Sequence, residues 1–155
     1  PGGLLDSVCD VLRKILPEGL IVYTEDKDGN REEEKCDGKN ELRIPLAVLV
    51  NESSASASEI FAGAVQDYGI GTIVGTTTYG KGVVQSIRQL SDGSAIKLTI
   101  ANYYTPKGNN INKTGIKPDI EVSLDISLLN KNKDEITHDE DNQLQEAIKA
   151  VEKEK

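Results

Sequence analysis

The residues with the clearest chemical potential lie in a run of small side chains around Ser56. Serines alternate with alanines from Ser54 to Ser58, after an apolar stretch and before a helical pattern. One interpretation is helix capping, in which a serine accepts from free N–H groups of the first turn and Glu59 completes a capping box. The other is that the same N–H groups form part of an oxyanion hole beside a nucleophilic hydroxyl. The two interpretations are compatible, because one serine of the run can cap the helix while another acts as the nucleophile.

A nucleophilic serine needs a base, and the sequence offers two unequal candidates. The single histidine, His138, lies in an acidic stretch without clear patterning, which argues against a Ser-His-Asp triad. Lys81 stands between Gly80 and Gly82, with apolar residues on both sides. Flanking glycines allow a lysine to be carried inward, where burial lowers the pKa of an amine and makes it a base. A phosphate-binding glycine loop is not indicated, because the lysine of that motif is followed by Ser or Thr, whereas Lys81 is followed by Gly82.

The elements predicted around these residues form an α/β domain. Apolar residues at helical spacing predict helices over residues 4–16 and 56–68, and a surface helix over 142–153. Residues 44–50 form a near-continuous apolar run, typical of a strand buried on both faces. Residues 26–40 are polar and contain Asp-Gly twice, which predicts a hairpin tip or loop. Strands predicted over 20–24, 72–75, 84–90, 95–104 and 120–122 complete an α/β domain with a mixed sheet.

Composition limits the classes of partner. With 155 residues, 37% of them hydrophobic, the chain is long enough for one compact domain. Its net charge of −8 argues against nucleic acid, because phosphate binding needs clustered Lys and Arg. No apolar run approaches the roughly 20 residues that span a bilayer. Cys9 is predicted to be a small core residue and Cys36 to lie in a polar loop, so neither a disulfide nor a metal site is favoured.

Several separated motifs occur in a specific order. The chain opens on Pro1-Gly2-Gly3 and has Ser-Ala-Ser-Ala-Ser-Glu-Ile at residues 54–60. Thr-Tyr-Gly-Lys-Gly-Val-Val-Gln follows at residues 78–85, and Gly-Ile-Lys-Pro-Asp at residues 115–119. In this order the motifs resemble those of the C-terminal processing, or tail-specific, serine peptidases. The resemblance covers roughly residues 1 to 122, and several motifs in order are more specific than any one.

The resemblance implies a site and a mechanism. Ser56 is the implied nucleophile, Lys81 its general base, and Gln85 the residue that orients the lysine. Ser56 would attack the scissile carbonyl and form an acyl-enzyme that water then hydrolyses. No metal or organic cofactor is implied. The implied oxyanion donors are the backbone N–H groups of Ala57 and of either Gly2 or Gly3.

The resemblance also implies a fold, a substrate class and a location. The fold is the crotonase-like, Clp-protease-like ββα superhelix, here partial, with residues 1–125 as the C-terminal part of the catalytic core and 126–155 as an acidic extension. The substrates are unstructured C-terminal tails of proteins, selected with the help of an upstream PDZ domain. The chain has no Met and is expected to come from a longer precursor. The location is the cell envelope, periplasmic or extracellular, with membrane attachment through the missing N-terminal segment.

Two alternative functions share the fold. One is a non-catalytic binding or scaffold module, and the other is an acyl-CoA enzyme of the crotonase type. Retention of Ser56, Lys81 and Gln85 together favours the peptidase. Because the family's upstream strands are missing, we expect a free strand edge and self-association of the chain, either by edge pairing or by exchange of an element between copies. For the same reason we expect little peptidase activity from this chain alone.

Overall fold

The structure, a computed structural model, describes residues 1–153. The first half of the chain forms helix α1 (Leu5–Leu12), strands β1 (Glu18–Asp26), β2 (Arg31–Asp37) and β3 (Ala47–Val50), and helix α2 (Ala57–Tyr68). The second half forms strands β4 (Thr72–Gly75), β5 (Val83–Gln89), β6 (Ala95–Tyr104) and β7 (Ile120–Glu121), and helix α3 (Asn142–Lys153). Short 3-10 helices at Ile126–Leu128 and Lys133–Glu135 precede α3. The predicted α/β class is confirmed.

A small parallel sheet carries the serine run. Its strand order is β3-β4-β7, and both pairings are parallel. Within residues 1–153, β3 pairs with β4 alone and is an edge strand, with Leu49 45% exposed. The prediction of a strand buried on both faces was therefore wrong, because only Val50 is buried, Ala47 and Val48 are half-buried and Leu49 is exposed. Ile44, just before β3, is also exposed.

The other four strands form an antiparallel sheet in the order β2-β1-β6-β5. The predicted hairpin of β5 and β6 is confirmed, with Arg88 opposite Ile96 near the turn. The prediction of a loop over residues 26–40 was wrong in part, because β2 pairs along most of β1. Charge pairing compensates for its polar sequence: Arg31 lies 2.7 Å from the Glu25 carboxylate and over the Tyr23 ring. Only the tip of this hairpin is a turn.

The core lies where α1 and α2 pack against the strands. Apolar side chains from both helices, β1 and β4 meet there, and Gly69 ends α2 in the left-handed conformation that favours glycine. Cys9 is buried as predicted, and burial raises the pKa of its thiol to about 11. Cys36 is also buried, in β2, and both cysteines are free. Fully buried members of the core include Leu12, Leu16, Ile21, Ala62, Ala64, Val65 and Ile73.

Helix α3 packs on the parallel sheet and is more than a surface helix. It contacts β3 and β4, and Ala147 and Ala150 are buried. The Asp141 carboxylate accepts from the N–H groups of Gln143 and Leu144 and so caps its first turn. The 142–153 helix was predicted with correct bounds, but its packing was not. No helix in residues 1–153 has the length and apolar character that a bilayer crossing requires.

Candidate active site

Ser56 lies directly before the first residue of α2, a few residues after β3 ends, as the sequence predicts. Its backbone has φ 58° and ψ −119°, a conformation that non-glycine residues rarely adopt. Holding such a residue costs about 1–3 kcal/mol, and residues of this kind concentrate at functional sites. Ala55 and Ala57 on either side are buried, while Ser56 is half-buried. The serine is therefore held in a strained turn by packed neighbours.

A buried carboxylate beneath the turn binds both halves of the candidate site. Glu59 is completely buried, and its Oε2 accepts from the N–H of Ser56 and from the N–H of Lys81, both at 2.8 Å. Its Oε1 accepts from the N–H of Gly80 and from the hydroxyl of Thr78, both at 2.6 Å. The predicted capping contact from Glu59 to Ser56 is confirmed. The three further bonds tie the start of α2 to the loop that carries Lys81.

The loop before β5, residues 76–82, packs between Glu59 and residues 111–116. The N–H of Ile116 donates to the Thr78 hydroxyl at 2.7 Å, and the N–H of Lys113 donates to the Gly80 carbonyl at 2.8 Å. A Cβ added at Gly80 would lie within about 3.0 Å of the Lys113 backbone, and one at Gly82 would overlap Asn112. The two glycines therefore permit the close approach that fixes Lys81, as the sequence suggested.

The Lys81 side chain itself is exposed to solvent, in contrast to the inward placement that the flanking glycines suggested. The backbone N–H of Lys81 is the group that turns inward, toward Glu59. Within the described residues, no hydrogen bond joins the Lys81 amine to the Ser56 hydroxyl. Their action as a catalytic pair stays a prediction.

Gln85 lies near the beginning of β5 on an exposed stretch of the hairpin. Its side-chain amide donates to the Thr99 hydroxyl on β6 at 3.4 Å, a long bond. A register irregularity lies beside it, where Val84 faces Ala101 but Gln85 faces Thr99, so the extra residue, Ile100, is on β6. The side chains of β5 therefore continue to alternate between the two faces of the sheet at Gln85. Its role in orienting Lys81 stays a prediction.

The opening glycines are placed unequally relative to Ser56. Gly2 has φ 97°, and a Cβ built on it would lie 3.0 Å from the Ser56 Cβ and 3.1 Å from the Ala57 nitrogen. A Cβ on Gly3 would meet nothing within 4 Å. Both glycines and Ala57 line one groove of about 440 Å³. The structure thus places Gly2, but not Gly3, against Ser56 and Ala57. The service of these backbone N–H groups as an oxyanion hole stays a prediction.

Substituting the two glycines separately tests this arrangement. In the full-length protein, Gly2→Ala is expected to lower kcat by about 100-fold, because the added methyl group displaces the Ser56–Ala57 backbone from the developing oxyanion. Gly3→Ala is the matched control and is expected to change kcat less than about threefold, because its methyl group meets open space. Steady-state peptide cleavage measures both. Equal losses in the two variants would contradict the placement of Gly2.

Comparison with known proteins identifies the family to which this arrangement belongs. Residues 1–122 match the sequence model of peptidase family S41. The chain belongs to peptidase family S41. A carboxyl-terminal-processing protease of Synechocystis sp. is 50% identical over 119 residues, 77% of this chain and 28% of that protein. The chloroplastic C-terminal processing peptidase of Tetradesmus obliquus is 41% identical over 126 residues, 81% of this chain and 27% of that protein.

Solved S41 structures share the fold. A photosystem II D1 C-terminal processing protease superposes with a TM-score of 0.74 at 42% identity, over 79% of this chain and 32% of that one. A putative S41 protease from Bacteroides fragilis superposes with a TM-score of 0.73 at 20% identity, over 99% of this chain and 43% of that one. This S41 chain thus spans about 28% of the length of the first of these relatives. The S41 fold confirms the predicted Clp-protease-like architecture.

Two residues of this S41 site were not predicted in their full role. Glu59 was interpreted as a helix cap, and Thr78 was only one residue of a motif. Their contacts join segments that are far apart in the sequence, so local spacing could not show them. The available signal was an acid in the first turn of a helix, followed directly by the uncharged run Ile-Phe-Ala-Gly-Ala-Val at residues 60–65. Among residues 1–153 no cluster of His, Cys, Asp and Glu is arranged to hold a metal ion.

Proposed function

We propose that the protein is a serine endopeptidase that cleaves other proteins near unstructured C-terminal tails, with Ser56 as nucleophile and Lys81 as general base. The observation that carries the proposal is the Glu59 carboxylate, which holds the backbones of both residues through one oxygen atom. A scaffold protein has no need to fix a serine and a lysine to the same buried charge. Burial of a carboxylate is costly unless several donors satisfy it, and here four do.

The reaction proposed is acyl transfer. The Lys81 amine accepts the proton of the Ser56 hydroxyl as the serine oxygen bonds to the scissile carbonyl carbon. The N–H groups of Ala57 and of Gly2 or Gly3 stabilise the oxyanion. The peptide C–N bond then breaks, and the Lys81 ammonium returns the proton to the leaving amine. Water hydrolyses the ester and restores the serine.

Trapping the ester tests this proposal. The p-nitrophenyl ester of a short apolar peptide is expected to acylate Ser56 in the full-length protein, with release of nitrophenolate. Acid quenching and peptide mass spectrometry would locate the acyl group. Ser54→Ala and Ser58→Ala are the matched controls and are expected to leave the acyl group on Ser56, whereas Ser56→Ala is expected to remain unmodified. An acyl group on another residue, or none, would overturn the assignment.

The cell-envelope location, with membrane attachment through a segment outside this chain, belongs to the same proposal. Its support is the resemblance to tail-processing peptidases. Fractionation of cells expressing the full-length protein with a C-terminal tag would test it. Recovery of the protein in the cytoplasm alone would refute this location while leaving the chemistry untouched.

We also propose that the 155-residue chain associates with a second copy through the free edge of β3. That edge carries backbone groups beyond the β4 pairing, and Ile44 and Leu49 beside it are exposed. Exposed apolar edges of this kind recruit another strand. Sedimentation equilibrium at several concentrations is expected to show reversible dimers or larger species. Leu49→Lys is expected to shift the chain toward monomer, while Ile126→Lys, at an exposed site distant in sequence, is the control. A monomer at all concentrations would contradict the association.

A further inference from the structure

The outer part of the β5–β6 hairpin exposes a row of apolar side chains. Ile96, Leu98 and Ile100 lie at alternate positions of β6, and each is between 44% and 49% exposed. Strand β1 pairs with β6 only from Ala101 to Tyr104, so within the described part of the chain no third strand flanks the row. Two-stranded ribbons are at best marginally stable in water unless something packs on their apolar face. The row therefore indicates a surface that another polypeptide covers.

The row leads into a cleft on the same face of the antiparallel sheet. Leu98 pairs with Ser86 across the hairpin, and Val84 lies two positions before Ser86, so Leu98 and Val84 share one face. Val84 and Ile100 both line a cleft of about 270 Å³, whose other walls come from α1, β6 and the β1–β2 hairpin. We call the row and the cleft together the hairpin surface.

The cleft lies beside the proposed catalytic residues. Leu5 lines it and follows Gly3 by two residues, and Val84 lines it and follows Lys81 by three. Because an extended chain advances at most about 3.6 Å per residue, the Cα atoms of Lys81 and Val84 lie within about 11 Å of each other. Lys81 is proposed to return a proton to the leaving amine. The substrate chain that follows the cleaved bond is therefore within reach of the cleft.

The charged residues of the cleft are both acidic. Asp26 and Glu32 line it, and none of its other lining residues, all in the described part of the chain, carries a charge. Neither carboxylate forms an ion pair within residues 1–153. A cationic side chain in the cleft would meet two carboxylates, whereas an anionic one would be repelled by both.

We propose that the hairpin surface binds the C-terminal tail of the substrate, with a Lys or Arg side chain in the cleft and apolar side chains at alternate positions along the row. This inference rests on the proposed peptidase function and adds features of its substrate. An extended peptide repeats its side chains on one face about every 6.8 Å, as β6 does, so both rows pack in step. A second copy of the chain, with a net charge of −8, would bring more negative charge to an acidic cleft.

The first experiment tests the cleft with two peptides that share one cleavage sequence. The third residue after the cleaved bond, which an extended chain places about 10 Å away, is lysine in one peptide and glutamate in the other. Full-length wild-type protein is expected to show about fivefold lower KM for the lysine peptide at low salt. Glu32→Lys is expected to reduce this preference to below about twofold. Glu33→Lys is the matched control, because Glu33 points to the opposite face of β2 and does not line the cleft.

The second experiment tests the row with tails of alternating leucine and serine or of serine alone. Leu98→Ser is expected to raise KM for the leucine tail about fivefold, with kcat unchanged, because one apolar contact is lost. The KM for the serine tail is expected to stay at its wild-type value. Ile87→Ser is the matched control, since Ile87 is exposed on the opposite face of the hairpin, where it pairs with Lys97.

Equal KM values for the lysine and glutamate peptides in wild type, or equal effects of Glu32→Lys and Glu33→Lys, would overturn the hairpin surface. So would a Leu98→Ser protein that changes from dimer to monomer in sedimentation with its KM unchanged, because a second copy would then be the occupant of the row. Fluorescence anisotropy of labelled tail peptides with Ser56→Ala protein separates this failure from failure of the peptidase proposal. Selective binding without any cleavage by wild-type protein would refute the peptidase chemistry alone.

Discussion

Replacement of Lys81 by alanine in the full-length protein is expected to abolish peptide cleavage, and replacement of Ser56 by alanine is expected to do the same. Each substitution removes one partner of the proposed proton transfer from Ser56 to Lys81, so we expect kcat/KM to fall by at least about 10³-fold. Lys81→Arg is expected to be equally inactive, because a guanidinium keeps the charge but does not give up a proton. Cleavage of a tail peptide, followed by chromatography, measures all three.

Controls separate loss of chemistry from loss of fold. Lys97→Ala removes another exposed lysine, from β6, and is expected to retain wild-type cleavage. Gln85→Ala is expected to lower kcat/KM less than Lys81→Ala, since Gln85 is proposed to orient the base without transferring a proton. Circular dichroism is expected to be unchanged in Lys81→Ala and Ser56→Ala. Wild-type cleavage by Lys81→Ala protein would rule out the lysine mechanism.

Replacement of Glu59 by alanine is expected to cost about 3–5 kcal/mol in free energy of unfolding. The substitution leaves the N–H groups of Ser56, Gly80 and Lys81 and the Thr78 hydroxyl without their acceptor. Glu59→Gln is expected to destabilise less but clearly, because its amide nitrogen would face donors that need an acceptor. Denaturant unfolding, followed by circular dichroism, measures both changes.

Glu52→Ala is the matched control for Glu59. Glu52 is exposed and accepts one hydrogen bond, from the Thr76 hydroxyl at 3.1 Å. Its loss is expected to change the free energy of unfolding by less than about 0.5 kcal/mol. Activity adds a second readout, since Glu59→Gln is expected to lower kcat more than it changes KM by loosening Ser56 relative to Lys81. A Glu59→Ala protein as stable as Glu52→Ala would show that the buried carboxylate is not structurally required.

The sequence predicted local features of the fold well and long-range ones poorly. Helix α2 and strand β4 followed from apolar spacing and glycine stops, and their predicted bounds were close. Strand β2 was missed because its residues are polar, and its stability comes from pairing with β1. The exposure of Leu49 in β3 could not be predicted from composition, because an apolar run has the same sequence pattern whether or not other elements cover both faces of the strand.

The same contrast between local and long-range features applies to the candidate site. Motif order indicated Ser56, Lys81 and the opening glycines, and the structure brings Gly2 against Ser56. The link between Ser56 and Lys81 was not predictable, because it depends on a carboxylate that reaches a loop beyond the next strand. Exposure of the Lys81 side chain was likewise hidden, because glycines around a residue fix its backbone without fixing the direction of its side chain.

The single Glu59 oxygen atom that accepts from both Ser56 and Lys81 also determines when, during synthesis, the proposed peptidase could first become active. A ribosome exposes the serine segment before the lysine segment, and unfinished chains are themselves unstructured tails. Because Glu59 Oε2 fixes the backbones of both residues, the pair is positioned only after the intervening strand β4 and its loop have docked. Under the proposed mechanism, a nascent or misfolded copy therefore has a serine and a lysine that are not positioned to act together, and its own activity begins only after this part of the chain has folded.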